Sequence, residues 1–161
     1  MNSFQFPSID WLMMAPVITV MITGIAALMV EVLQPKRSNG LIIGISLVGL
    51  AVAGWFLGVQ FSLPDGKTFN GMVTRDITSL VLQGVLLATC FIVFLFSEGY
   101  LRQRRIPWGE FYPLALWSTA GGMIMVGTQN LLMIFLGLEV LSIALYVLAG
   151  MAREEARSEE S

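Results

Sequence analysis

The sequence predicts an all-α integral membrane protein with five transmembrane helices, its N-terminus outside and its C-terminus cytoplasmic. Three observations carry that prediction. The 161-residue chain is 56% hydrophobic and only 12% charged, with a mean hydropathy of +0.78, whereas a soluble domain carries about a quarter charged residues. Its apolar residues are gathered into long runs of the length that a helix rising ~1.5 Å per residue needs to cross ~30 Å of hydrocarbon. The basic residues, finally, collect on one side of the spans that those runs define. The runs use up most of the chain, so residues 1–161 read as a single membrane domain with no separate soluble one.

The first span is expected over about 11–33, closed by Gln34-Pro35-Lys36-Arg37. It is no signal peptide: its leader lacks Lys and Arg, its first charge is Asp10, and its apolar stretch is too long. The second covers about 41–59 without a charge. Gly40, Gly44, Gly54 and Gly58 give it two small-xxx-small spacings, which permit close helix contact but also recur by chance. Residues 60–77 form a polar interval with a turn signal at Pro64-Asp65-Gly66. Asp76 then precedes the third span, about 78–97, as its expected N-cap. Glu98 ends that span and the basic cluster Arg102-Gln103-Arg104-Arg105 follows. Glu110 opens the fourth, about 111–127, where an acid suits the positive end of the helix dipole. A Thr128-Gln129-Asn130 turn leads to the fifth, about 131–151, and residues 153–161 form a polar tail.

Orientation follows from the excess of Lys and Arg on cytoplasmic loops. With the N-terminus outside, Lys36, Arg37, Arg102, Arg104, Arg105, Arg153 and Arg157 share the cytoplasmic side, and only Lys67 and Arg75 lie opposite.

The composition excludes several functions. A net charge of −2 with scattered basic residues argues against a nucleic-acid partner. There is no His and one Cys, so no zinc, haem or iron–sulfur ligand spacing exists. Cys90 lies inside an apolar run and reads as a small buried residue. No glycine-rich phosphate loop is present. This chain is expected to bind no cofactor.

One charge stands apart. Of nine basic and eleven acidic residues, every one but Glu139 lies in a loop, a tail or at a span end; Glu31, near the end of the first span, is expected to reach the headgroups. Glu139 lies eight residues into the fifth span, about 12 Å along its axis. An unpaired acid at that depth costs at least ~2.5 kcal/mol on insertion scales. It is expected to face a protein interior, either protonated or held beside a cation. A group that can switch between those forms is a proton-relay element. Ser142 and Tyr146 follow at i+3 and i+7, stacking hydroxyls along one stripe. The five spans hold no Lys or Arg, so any counter-ion must come from outside this stretch of sequence. Such an acid can also merely pin one helix to another through a hydrogen bond.

The stretch NLLMIFLGLEVLSIALYVLAG (130–150) closely resembles the fifth helix of subunit N of proton-pumping NADH–quinone oxidoreductase, respiratory complex I. EFYPLALWSTAGGM (110–123) resembles the fourth helix of that family, and FNGMVTRD (69–76) and the tail from Arg153 are similar as well. The likeness is strong from about residue 69 onward; before that it is mainly the order and length of spans. Gly137-Leu138-Glu139 with the following LYVLAG favours subunit N over its antiporter-like relatives, subunits L and M.

The resemblance implies about fourteen helices in the family, two inverted five-helix repeats among them, of which this chain would hold three leading helices and part of the first repeat. It implies that Glu139 is a proton-channel residue paired with a Lys on a broken seventh helix, absent here. It places NADH, FMN, the iron–sulfur clusters and quinone in other subunits, makes the other membrane-arm subunits and the lipid bilayer the partners, and locates the chain in a bacterial inner membrane. The sequence stops after the fifth helix, as a truncated product or a fragment of a longer reading frame would, and alone it is expected not to move protons. Two other readings are a subunit of a multisubunit sodium/proton antiporter and an inert truncated membrane scaffold.

Overall fold

The computed structural model of the protein describes residues 9–33, 40–104 and 109–159. Five helices dominate it: α1 (Trp11–Leu33), α2 (Gly40–Gln60), α3 (Ile77–Arg104), α4 (Phe111–Val126) and α5 (Leu131–Glu159). A two-stranded ribbon, β1 (Gly66–Thr68) and β2 (Val73–Arg75), joins α2 to α3. Four helices are long and apolar enough to cross a bilayer, and α4 is a shorter apolar one. The chain is an α-helical, multi-pass membrane protein. Pro35, Lys36, Arg37 and Arg105, which enter the span and orientation expectations, lie outside the described residues.

α4 is the hub. It packs against α1, α3 and α5, while α2 bridges α1 and α3. Its Tyr112, Leu116, Ala120 and Met123 are fully buried against Val20 and Ala27 of α1, Ile42 and Leu50 of α2, and Leu87 and Phe94 of α3. Pro113 is tolerated because it falls in the first turn of α4, where its missing N–H would have no helical partner anyway. Phe94, Phe111 and Tyr112 meet edge to face with ring centroids 5.1–6.2 Å apart, and the Ser97 hydroxyl donates to the Tyr112 oxygen at 3.1 Å.

In lipid every backbone polar group must find a partner inside the protein, and α1 breaks that rule locally. Pro16 lies within it and has no N–H to offer the Leu12 carbonyl one turn earlier. The α2 side chain of Gln60, only 2% exposed, fills the gap: its Nε2 donates to the Leu12 oxygen at 2.6 Å. The helix hydroxyls are quieted locally, with Thr19, Thr23, Ser46, Thr89 and Thr119 each donating to the carbonyl four residues back.

The ribbon is not part of the all-helical expectation. Its strands pair antiparallel, Gly66 opposite Arg75 and Thr68 opposite Val73. The tight turn falls at Phe69-Asn70-Gly71, all at positive φ (51°, 54° and 83°), not at Pro64-Asp65-Gly66, which leads into β1. Asn and Gly tolerate that region, and Asn70-Gly71 is a standard hairpin signal. The ribbon fastens one end of the bundle. Asp10 N–H donates to the Thr68 hydroxyl at 3.0 Å. Thr74 N–H donates to the Gly127 carbonyl at 2.9 Å, and the Thr128 hydroxyl to the Met72 carbonyl. Arg75 donates twice to the Pro64 carbonyl (3.1 and 2.8 Å) and pairs with Asp10 at 3.6 Å.

Other expectations meet the structure individually. Asp76 does cap α3: its carboxylate accepts the Ser79 N–H at 3.1 Å, while the Ser79 hydroxyl accepts the Asp76 N–H at 3.2 Å, a reciprocal capping box. The α2 glycine spacing is not a helix seam. Gly44, Gly54 and Gly58 have open space beside them, and it is Gly49 that lies against another helix, touching the Thr23 side chain of α1. Glu31 is half-buried at the end of α1, and its carboxylate packs on Gly109, ahead of α4. α3 and α5 continue as helices to Arg104 and Glu159, beyond the apolar spans expected to end near 97 and 151. The α3 extension carries Leu101, Arg102, Gln103 and Arg104, and the α5 extension is built mostly of Ala, Arg and Glu, residues that favour helix.

Candidate functional site

α5 begins after the turn at Thr128, whose hydroxyl accepts the Asn130 N–H at 3.0 Å. The Asn130 side-chain oxygen then caps the helix by accepting the Leu132 N–H at 2.9 Å. Among the other helices α5 leans chiefly on α4. At their crossing the backbones touch. A methyl group placed on Gly121 would sit 2.7 Å from the Gly137 carbonyl oxygen and 2.7 Å from the Leu141 nitrogen. One placed on Gly137 would sit 2.8 Å from the Gly121 carbonyl oxygen and 2.7 Å from the Met125 Cγ. Gly137 and Ala144 are buried in this seam, one turn on either side of Leu141.

Helical geometry then places the acid. Glu139 lies two residues past Gly137, about 200° around the axis, and so points away from α4. Ser142 and Tyr146 fall within about 60° of the same direction. The structure brings the three predicted residues to one face: Glu139 is exposed, Ser142 half-buried and Tyr146 74% exposed. Phe135, Leu136, Ile143 and Val147 surround them, all exposed. Neither hydroxyl hydrogen-bonds the carboxylate, and Glu139 has no hydrogen bond or ion pair with any described residue. A carboxylate in this position is open to groups that approach α5 from the side opposite α4.

A second polar locus was not singled out by sequence. At the ribbon end Gln60, Thr74, Arg75 and Gln83, all buried, line a cavity of about 40 Å³ together with Met13, Met123 and Gly127. The Arg75 Nη1 is buried there without a hydrogen-bond partner among the described residues, facing Asp10. Gln83 inside the third span, with Gln60 directly after the second, was the available signal. The cavity is water-sized. Cys90 is buried in α3, as expected of a small apolar residue.

The fold and this face define a class: a multi-pass helical membrane protein whose one mid-span acid sits on an uncovered helix face. No family model matches the chain, but curated relatives do. NADH-quinone oxidoreductase subunit N of Trichlorobacter lovleyi is 33% identical over 97% of this chain and 32% of its own length. Subunit N 2 of Koribacter versatilis is 35% identical over the whole chain and 35% of its own length. NAD(P)H-quinone oxidoreductase subunit 2 of a Synechococcus is 34% identical over 91% of the chain and 28% of its own. The chain spans about a third of the length of the curated relatives it matches. Over nearly all its residues, this chain is a homologue of subunit N of NADH-quinone oxidoreductase.

Proposed function

We propose that this chain forms part of a proton-translocating membrane-arm subunit of NADH-quinone oxidoreductase, in a bacterial inner membrane, and that Glu139 carries the proton. The observation behind the reading is the placement of a lone carboxylate about 12 Å into α5, in line with Ser142 and Tyr146 and turned away from α4. An acid there is costly in hydrocarbon unless further helices cover it, and the homologues are about three times as long as this chain. Covered in that way, the carboxylate carries a proton in one condition and pairs with a cation in the other. Alternation between those two conditions takes up a proton and gives it back. Ser142 and Tyr146 supply hydroxyls that hold a short chain of water or hydrogen-bond the carboxylate in turn.

NADH, FMN, iron–sulfur clusters and quinone belong, on this proposal, to other subunits. The described residues form no group of three or more His, Cys, Asp or Glu side chains able to hold a metal, and the cavity near Arg75 admits only water-sized groups. On this proposal the redox chemistry runs in those other subunits and this chain contributes to the proton path.

The test is Glu139→Gln in the complete complex, reconstituted in sealed vesicles. The amide keeps the volume and polarity of the side chain but carries no exchangeable acid proton. Proton uptake per NADH oxidised and coupled quinone reduction should both fall, while NADH oxidation by an acceptor that bypasses the membrane arm stays unchanged. Normal pumping in a fully assembled Glu139→Gln complex would reduce the residue to a packing role. This stretch alone in vesicles should show no Glu139-dependent proton flux.

A further inference from the structure

We infer that the Gly121–Gly137 backbone contact is the positioning device for Glu139, fixing both the depth and the direction of the acid; this rests on the function proposed above. α5 leans chiefly on α4, so the seam between them decides how α5 is rotated and how far it is slid along its axis. That seam is set by backbone atoms. The nearest neighbours of a methyl group at Gly121 would be the Gly137 oxygen and the Leu141 nitrogen, both at 2.7 Å. At Gly137 they would be the Met125 Cγ at 2.7 Å, the Gly121 oxygen at 2.8 Å and the Met125 nitrogen at 3.1 Å. A flexible side chain could swing away from such a methyl; a carbonyl oxygen inside a helix cannot. Any side chain at either glycine must push the helices apart, turn α5 or slide it.

Glu139 takes up that motion directly. It is two residues from Gly137, about 3 Å along the axis and on the far side of the same helix. With side chains reaching about 5–6 Å from the axis, a turn of about 20° displaces the carboxylate by about 2 Å. Proton transfer needs heavy atoms within about 2.6–3.2 Å or one water between them. A displacement of that size breaks such a contact while leaving the helix intact. Gly137 and Gly121 touch no proton, so they act as positioning residues for an acid whose stripe they do not share. Gly150, on the same helix, has nothing within 4 Å and provides the control.

The experiment uses the full subunit in the assembled complex, in sealed vesicles, with four variants: Gly137→Ala, Gly121→Ala, Gly150→Ala and Glu139→Gln. Assembly is followed by the amount of the subunit that co-purifies with the complex, and the redox steps outside the membrane arm by NADH oxidation with the bypass acceptor. Gly137→Ala and Gly121→Ala are expected to assemble, to pump severalfold fewer protons per NADH, and to shift the pH profile of coupled quinone reduction, because the moved acid meets different neighbours. Gly150→Ala should match the parent in every readout. Pumping and a pH profile like the parent's in assembled Gly137→Ala would overturn the inference, as would losses that only track assembly with an unshifted profile. If neither glycine variant assembles, Met125→Ala loosens the same seam without a clash; a shifted profile there supports the inference and an unshifted one overturns it. A dead Glu139→Gln beside a normal Gly137→Ala removes this inference alone, whereas a normal Glu139→Gln removes the proposed function and this inference with it.

Discussion

Replacing Gln60 by Leu should destabilise the bundle through a carbonyl that Gln60 does not own. Pro16 leaves the Leu12 oxygen without its helical donor, and the Gln60 Nε2 at 2.6 Å supplies the replacement. Leucine is close to glutamine in volume and suits the Met13, Val17 and Leu80 side chains that line the same cavity, so the main loss is the hydrogen bond. A buried acceptor left unpaired costs about 1–3 kcal/mol, which is a factor of about 5–150 in the folding equilibrium. A second substitution should rescue the loss. Pro16→Ala restores a backbone N–H that can reach Leu12, so the double variant should recover most of what Gln60→Leu loses. Equilibrium unfolding in mixed detergent micelles, run on the parent, both single variants and the double, gives the coupling energy. A coupling of about 1–3 kcal/mol in the rescuing direction is expected. If the two effects simply add, Gln60 is packing material and the account of the proline gap is wrong.

Two smaller perturbations probe neighbouring points. Gly49→Ala should loosen the α1–α2 pair, because its methyl would run into the Thr23 side chain, whereas Gly54→Ala meets open space and should be neutral or gain up to about 1 kcal/mol of helix propensity; comparable losses from both in thermal unfolding would contradict the packing described. Asp76→Ala removes the cap shared with Ser79 and should cost about 1 kcal/mol, while Asp76→Asn, which still accepts the Ser79 N–H, should keep both stability and the activity of the assembled complex. A loss of proton pumping in a stably folded Asp76→Asn variant would give Asp76 a role beyond capping.

Much of this architecture could be read from the residues. The helices follow from apolar runs whose length matches hydrocarbon, and even the short α4 shows itself between Glu110 and Thr128 because both flanks are polar. Depth was legible in the same way: eight residues into a span locates Glu139 along the axis whatever else the helix touches. Direction around the axis was harder. The i+3 and i+7 spacing puts Ser142 and Tyr146 beside Glu139, and the structure gives the three a common face, but which face meets α4 depended on Gly137 and Gly121, and their role emerges only when two backbones are laid together. The same limit explains why the spacing of Gly40, Gly44, Gly54 and Gly58 drew attention while Gly49 made the contact. A small residue permits approach, and only the neighbour's position decides whether it is used. The ribbon escaped notice because its strands, GKT and VTR, are too short to show alternation. Gln60 escaped because its partner is a backbone carbonyl 48 residues away, exposed by a proline in another helix.

The brevity of α4 has a consequence for the membrane itself. Sixteen residues rise about 24 Å, some 6 Å less than a typical hydrocarbon layer, so the two ends of this helix are sunk below the levels that its longer neighbours reach. Polar backbone at sunken ends cannot be left to acyl chains. At one end the Gly127 carbonyl is met by Thr74 of the ribbon, and at the other the Glu31 carboxylate lies over Gly109. Each of these brings a polar group to where α4 stops. A helix shorter than the hydrocarbon layer thus keeps a polar neighbour at each end, Thr74 at Gly127 and Glu31 at Gly109.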